Sequence, residues 1–196
     1  MQDYVIEPKE GFRERRGYEI LDGKMYNMAR PSISHNIAGG NIFRMFGNFL
    51  KGKKCRAFMD GASVYLSEKD RAVPDVMIVC NRDIIKKNGI YGAPDLIVEV
   101  LSRTTAKNDL NYKKNLYEKS GVKEYWIVSA EERFIQVYVL KDAKYELSDI
   151  YQSFRDEDLS DLTDDEKAAI IYEFKTSLDG FEDLIINVEE VFENVE

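Results

Sequence analysis

A chain of 196 residues with 44% apolar and 33% charged side chains can bury one continuous core but is short for two, and its composition is ordinary for a soluble globular protein, indicating neither a fibre nor disorder. A net charge of -8 argues against general affinity for a phosphate backbone, though not against a nucleic-acid enzyme whose charges are arranged locally. The single histidine, His35, excludes a centre built from several imidazoles, and Cys55 and Cys80 have neither C-x-x-C spacing nor neighbouring histidines, which argues against zinc.

In chain order, Met1-Gln2-Asp3-Tyr4 lacks the basic and apolar regions of a secretory signal, and no apolar run approaches the roughly 20 residues that cross a bilayer. A cytoplasmic protein without a membrane partner is the expectation. Tyr18 to Leu21, then Asp22-Gly23, then Lys24 to Met28 reads as a hairpin, because Asp-Gly between alternating runs favours a type I′ turn. From Ser34 to Lys51 the residues Ile37, Ile42, Phe43, Met45, Phe46, Phe49 and Leu50 recur at helical spacing, with Ser32 or Ser34 as N-cap. Gly39-Gly40 weakens that helix by about 1 kcal/mol per residue relative to alanine, and close approach to a sheet is one reason to tolerate it. Lys51, Lys53, Lys54 and Arg56 form a basic cluster that suits either a solvated loop or a DNA contact.

Arg56 to Met59 and Ala62 to Leu66 read as strand material around Asp60-Gly61, Val73 to Cys80 as the next strand with Cys80 a small core residue, and Leu96 to Leu101 as the one after it. Asn88-Gly89 and Gly92-Ala93-Pro94 mark loop between them. The period then changes: Leu110, Lys113, Lys114, Leu116 and Tyr117 lie on a helix, with Asp109 a candidate N-cap, that stops near Ser120-Gly121. Glu124 to Val128 is a buried strand with Trp126 in the core, and Phe134 to Leu140 follows. Strand, helix and strand between Pro94 and Val128 make a crossover, so the two strands should be parallel neighbours, while the hairpins make the sheet mixed. Residues 153–172 read as an acidic insertion with a short helix from Thr163 to Ile171, capped by Thr163 and Glu166. Ile185 to Val188 with Val191 and Phe192 suggests a returning edge and a hydrophobic anchor. The expectation is one α/β domain over 1–196, with a mixed, curved central sheet flanked by helices.

Two acids stand where strand packing would not select them. Asp75 heads one apolar strand, and Glu99 lies inside Leu96-Ile97-Val98-Glu99-Val100-Leu101, where an acid is costly to bury unless a partner or cation meets it. If the strands are adjacent, both carboxylates converge at the sheet's edge. Magnesium suits such a pair because it takes oxygen ligands and keeps several waters. A nearby lysine could then orient or deprotonate an attacking water, a set that serves phosphodiester hydrolysis.

The pattern Y-E-I-L-D-G, His35, V-P-D-V, A-P-D-L-I-V-E-V-L-S-R-T-T-A-K-N-D and K-K-N-L-Y-E-K-S-G-V-K-E-Y-W-I-V resembles the Uma-two (DUF820-type) family of restriction-endonuclease-like proteins within the PD-(D/E)XK nuclease superfamily. The resemblance runs from about Tyr18 to Leu140 and is most specific from Pro94 to Val128. It implies a restriction-endonuclease-like fold and a magnesium-dependent DNA endonuclease, with manganese the other candidate metal and a homodimer as the expected assembly. It also implies that Asp75 and Glu99 are the metal-binding acids. Leu101 stands where the superfamily's motif places lysine, so the resemblance assigns the ammonium to Lys113, with Lys114 the register alternative. Glu19 resembles an additional acid, Asp95 a supporting carboxylate, and His35 a family histidine. Each has a structural rival: strand capping for Asp75, a metal-free ion pair with Lys113 for Glu99, a cross-strand charge pair for Glu19, and a surface or capping role for His35. Two other functions remain open, a binding module that keeps the fold without activity and a hydrolase of nucleotides or other phosphoesters.

Overall fold

The computed structural model describes residues 17–28, 30–102 and 108–196, without the side chains of residues 108–110 and 156. Tyr18–Leu21 (β1) and Lys24–Asn27 (β2) form the expected hairpin. Asp22 and Gly23 take φ of 53° and 71°, the left-handed pair that a type I′ turn requires. Helix α1 (Ile33–Phe49) starts at Ser32, whose hydroxyl accepts the His35 N–H at 3.1 Å. Its buried face is Ala38, Gly39, Ile42 and Phe46. Gly39 faces Val76 and Val100, yet a Cβ there would lie 3.8 Å from its nearest neighbour, and one at Gly40 would meet nothing within 4 Å. Close approach to the sheet therefore requires neither glycine.

The chain continues through β3 (Arg56–Met59), β4 (Val64–Ser67), β5 (Asp70–Ala72), β6 (Val76–Val79), β7 (Ile85–Lys86), β8 (Gly89–Tyr91) and β9 (Leu96–Val100). A wide helical turn of π type at Asn108–Lys113 leads into α2 (Lys114–Ser120), which ends at Gly121 with φ 84°. Then come β10 (Glu124–Ser129), β11 (Phe134–Lys141) and β12 (Lys144–Gln152). Two short helices, α3 (Asp156–Ser160) and α4 (Asp164–Ala168), fill the acidic segment, the second with the Thr163–Glu166 capping box. The chain closes with β13 (Glu173–Lys175), β14 (Ile185–Asn187) and α5 (Val188–Val191).

The architecture is mixed α/β. One six-stranded sheet has the order β12-β11-β10-β9-β6-β3, with β9 and β10 parallel across the α2 crossover and the other pairs antiparallel. The N-terminal hairpin does not join it. A second six-stranded sheet, β2-β1-β5-β4-β8-β7, collects the short strands, including the β7–β8 hairpin in a stretch that turn residues alone mark as loop. β3 and β4, neighbours in sequence around Asp60-Gly61, thus belong to different sheets. β14 pairs with β13 in a sheet of two strands.

Pleating sorts the strands of the first sheet between two cores. Val76, Ile78, Leu96, Val98, Val100, Trp126 and Val128 pack against α1 and the C-terminal segment, where Phe46 meets Trp126 edge-on at 5.4 Å. Met77, Val79, Ile97, Tyr125 and Ile127 pack on the other face with Tyr117 of α2 and Val64, Ala72 and Ile90 of the second sheet. Cys80 is not a free core thiol: it is disulfide-bonded to Cys55, one position beyond the Arg56–Val79 pair, and ties the edge strand β3 to β6. A separation of 25 residues hides such a pair until strand register is known. Among the described residues no helix is long and apolar enough to cross a membrane.

Candidate active site at one end of the mixed sheet

Pairing of Val76 with Val98 sets Asp75 beside Glu99 at the same end of neighbouring strands, and the pleat places Glu99 on the face of Met77 and Ile97. The Asp75 Oδ2 accepts the Val100 N–H at 2.7 Å, which binds the first acid to the residue after the second. Glu99 is 2% exposed, and its Oε1 accepts from Lys113 Nζ at 3.1 Å and from the Tyr117 hydroxyl at 2.6 Å. The same ammonium lies 2.9 Å from Glu19 Oε1, which also accepts the Val73 N–H at 2.8 Å. Hairpin, strand and crossover helix therefore meet at one buried charge cluster. A buried carboxylate is tolerable here because a cation and further hydrogen bonds compensate its lost hydration.

One contact aims the lysine and another braces its partner Glu99. Tyr112, its neighbour, donates its hydroxyl to Asp70 Oδ1 at 2.8 Å. Asp70 also accepts the Asp22 N–H at 2.8 Å and the Ser67 hydroxyl at 2.6 Å, so one carboxylate holds the hairpin tip and the turn carrying Lys113. Burial works to raise the Asp70 pKa, but these donors and Lys69 outweigh it and hold the carboxyl below its ordinary value. Tyr117, one helical turn beyond Lys113, braces Glu99. Burial, followed by the charges of Glu99 and Glu19, pushes its phenol well above the usual range and keeps it a donor.

His35 reaches the same end from α1, with Nε2 3.3 Å from Asp75 Oδ2. Burial works to lower the imidazole pKa, but the Asp75 carboxylate, the Val100 backbone and the charge of Asp60 overcome it and raise the value. His35, Asp60, Asp75, Glu99, Glu19 and Lys113 line one cavity, whose rim includes Tyr26 and Arg30.

Other sequence candidates lie elsewhere. Lys114 points away, with Nζ 3.6 Å above the Tyr138 ring, and burial outweighs the charge of Glu118 to lower its pKa. This settles the position of the two lysines: only Lys113 enters the cluster. Asp95 is at the opposite end of β9, where it accepts from Cys80 N–H at 2.7 Å and Lys123 Nζ at 2.8 Å, a structural bracket rather than part of the cluster. The basic cluster is at that far end too, since Arg56 pairs with Val79, about 10 Å along the strand from the Asp75 end. There Lys53 stacks on Phe49 at 3.1 Å, and Arg56 donates to the Lys53 and Cys55 carbonyls. The side chain of Asp109 is outside the described residues.

Sequence reasoning missed Tyr117, Tyr112 and Asp60. The four-residue spacing from Lys113 to Tyr117 puts both on one helix face and was the available signal for the first. For Tyr112 and Asp60 the partners come from the second sheet and from α1, which no local pattern announces.

Among the described residues, no group of three or more histidine, cysteine or acidic side chains is gathered to hold a metal. Asp75 and Glu99 are nevertheless hard oxygen donors at one cavity, a set that suits an ion keeping much of its water shell and needing one or two carboxylates.

Comparison with known proteins gives a family and a fold. Residues 2–167 match the family model described as "Uma2: Putative restriction endonuclease". An uncharacterized protein of Synechocystis sp., slr1290, is 28% identical over 132 residues, covering 66% of this chain and 70% of that one. A crystal structure described as a putative nuclease belonging to DUF820, from Anabaena variabilis, superposes with a TM-score of 0.67 at 16% identity, over 91% of this chain and 90% of that one. The restriction-endonuclease-like fold expected from the sequence is therefore present.

Proposed function

The chain belongs to the Uma2 family, and from that premise we propose that it is a divalent-metal-dependent endonuclease that hydrolyses DNA phosphodiester bonds. The observation that carries the reading is the convergence of Asp75, Glu99 and Lys113 at one cavity, although Lys113 comes from the crossover rather than from the strand position now filled by Leu101. Asp75 and Glu99 would hold a magnesium or manganese ion, which when bound supplies positive charge at the phosphoryl oxygens and acidifies a water. Lys113, set between Glu19 and Glu99, acts as a charge and hydrogen-bond donor that orients the nucleophile and stabilises the developing oxyanion. Glu19 and Tyr117 position the lysine and Glu99. His35 places a second nitrogen donor beside Asp75.

The test is a magnesium and manganese titration followed by thermal unfolding, alongside cleavage assays on single-stranded DNA, supercoiled plasmid, RNA and small phosphodiesters. A ligand held only by the folded state must raise its stability. We expect a rise in Tm with wild type that Asp75→Ala removes, and cleavage of DNA in preference to the other substrates. No shift with either protein, together with no cleavage, would leave the ion pair of Glu99 and Lys113 as a structural element of a binding module.

A further inference from the structure

The groups that would meet a phosphodiester are recessed: Glu99, Lys113 and Glu19 are 2%, 4% and 6% exposed. One wall of the cavity is the β1–β2 hairpin. Tyr26 pairs directly with Glu19 across it, so pleating gives the two side chains one face, and both line the cavity. Unlike Tyr117 and Tyr125, which are fully buried, Tyr26 is 38% exposed at the rim. The exposed Arg30 lines the same rim.

Resting on the nuclease reading above, we propose that Tyr26 is a base-stacking residue and that this site takes single-stranded DNA, with Arg30 meeting a backbone phosphate beside the stacked nucleotide. An aromatic face at a cavity mouth can be used only by a base that has left its own stack, and an intact duplex offers none. A duplex is also stiff over the length of a site this small, whereas one flexible strand can lower a phosphate toward recessed carboxylates. Charge points the same way. The basic cluster of Lys51, Lys53, Lys54 and Arg56 is at the far end of the sheet, away from where a duplex would be tracked. Stacking tolerates any base, so Tyr26 would add affinity without sequence preference.

The experiment measures binding of a fluorescein-labelled single strand, and of the duplex of the same sequence, by anisotropy in wild type and in Tyr26→Ala, Tyr26→Phe and Tyr26→Trp. Circular dichroism checks that each variant folds. We expect tighter binding of the single strand, a weakening of about 10-fold in Tyr26→Ala, and affinities close to wild type when the ring is kept. Equal binding by Tyr26→Ala, a Phe variant as weak as the Ala variant, or a duplex bound as tightly as the single strand would overturn the proposal. Cleavage of the same oligonucleotides with magnesium or manganese separates it from its premise. Binding that depends on Tyr26 without cleavage by wild type sinks the nuclease reading and keeps the stacking role. Cleavage with an unchanged KM in Tyr26→Ala does the reverse.

Discussion

Glu99 and Glu124 stand on adjacent parallel strands, both buried in apolar runs, yet they solve the cost of burial in opposite ways. Glu99 faces α2 and meets a cation and a phenol at a cavity wall. Glu124 faces the α1 side at the other end of the sheet, where its carboxylate accepts the Trp126 indole N–H at 2.6 Å and the Ser177 N–H at 2.6 Å, fastening the C-terminal segment to β10. Burial raises the Glu124 pKa against these same donors. A buried acid is therefore not in itself a sign of chemistry. What separates the two is a buried ammonium and a route to solvent.

The strongest way to break this comparison is to remove each acid. Glu99→Ala should cut DNA cleavage about 10³-fold, the scale of losing a group that stabilises the transition state, whereas Glu124→Ala should leave activity per folded molecule unchanged. Lys113→Met should destabilise the fold by about 3–5 kcal/mol in urea unfolding as well, because it strands two carboxylates. Equal losses of activity at Glu99 and Glu124 would erase the distinction between the two ends.

Next in size is the disulfide at the structural end. Reduction of Cys55–Cys80, which closes a loop of 25 residues, should cost about 3 kcal/mol of stability while the cleavage rate below the unfolding temperature stays the same. A fall in rate without unfolding would mean that the two ends are coupled.

The smallest effects belong to Glu124 itself. Glu124→Ala leaves the Trp126 indole N–H, fully buried, without this partner and should cost about 1–3 kcal/mol. The pH dependence has a definite sign. Because the folded pKa is raised, the folded state holds its proton more tightly, and this group's contribution is fully present below the unfolded glutamate value and lost as pH rises through the folded one. Urea unfolding of wild type and Glu124→Gln across that interval should show wild type losing stability relative to the variant as pH rises.

The sequence reads these two acids unequally for a physical reason. Glu99 is conspicuous in Leu96 to Leu101 because apolar residues flank it on both sides, and the crossover between β9 and β10 follows from the change of period alone. Glu124 opens its strand, where an acid looks like a solvated boundary, and its partner Ser177 is 53 residues away. The hairpin at Asp22-Gly23, α1 and the Thr163 capping box are legible because their causes are local. The division into two sheets is not, since β3 and β4 resemble one hairpin and only long-range pairing parts them. Lys113 could be named from a resemblance, but Tyr112 and Asp70, which aim it, are joined across 42 residues.

The lysine's arrival by the crossover has a consequence for assembly. Asp75 and Glu99 are brought together by pairing of β6 with β9, whereas their ammonium neighbour reaches them only when the turn before α2 docks and Tyr112 finds Asp70. Without that cation, burying Glu99 beside Glu19 would cost too much. Burial of Glu99 at that end of the sheet thus depends on a residue from outside it, whose ammonium makes the loss of hydration tolerable.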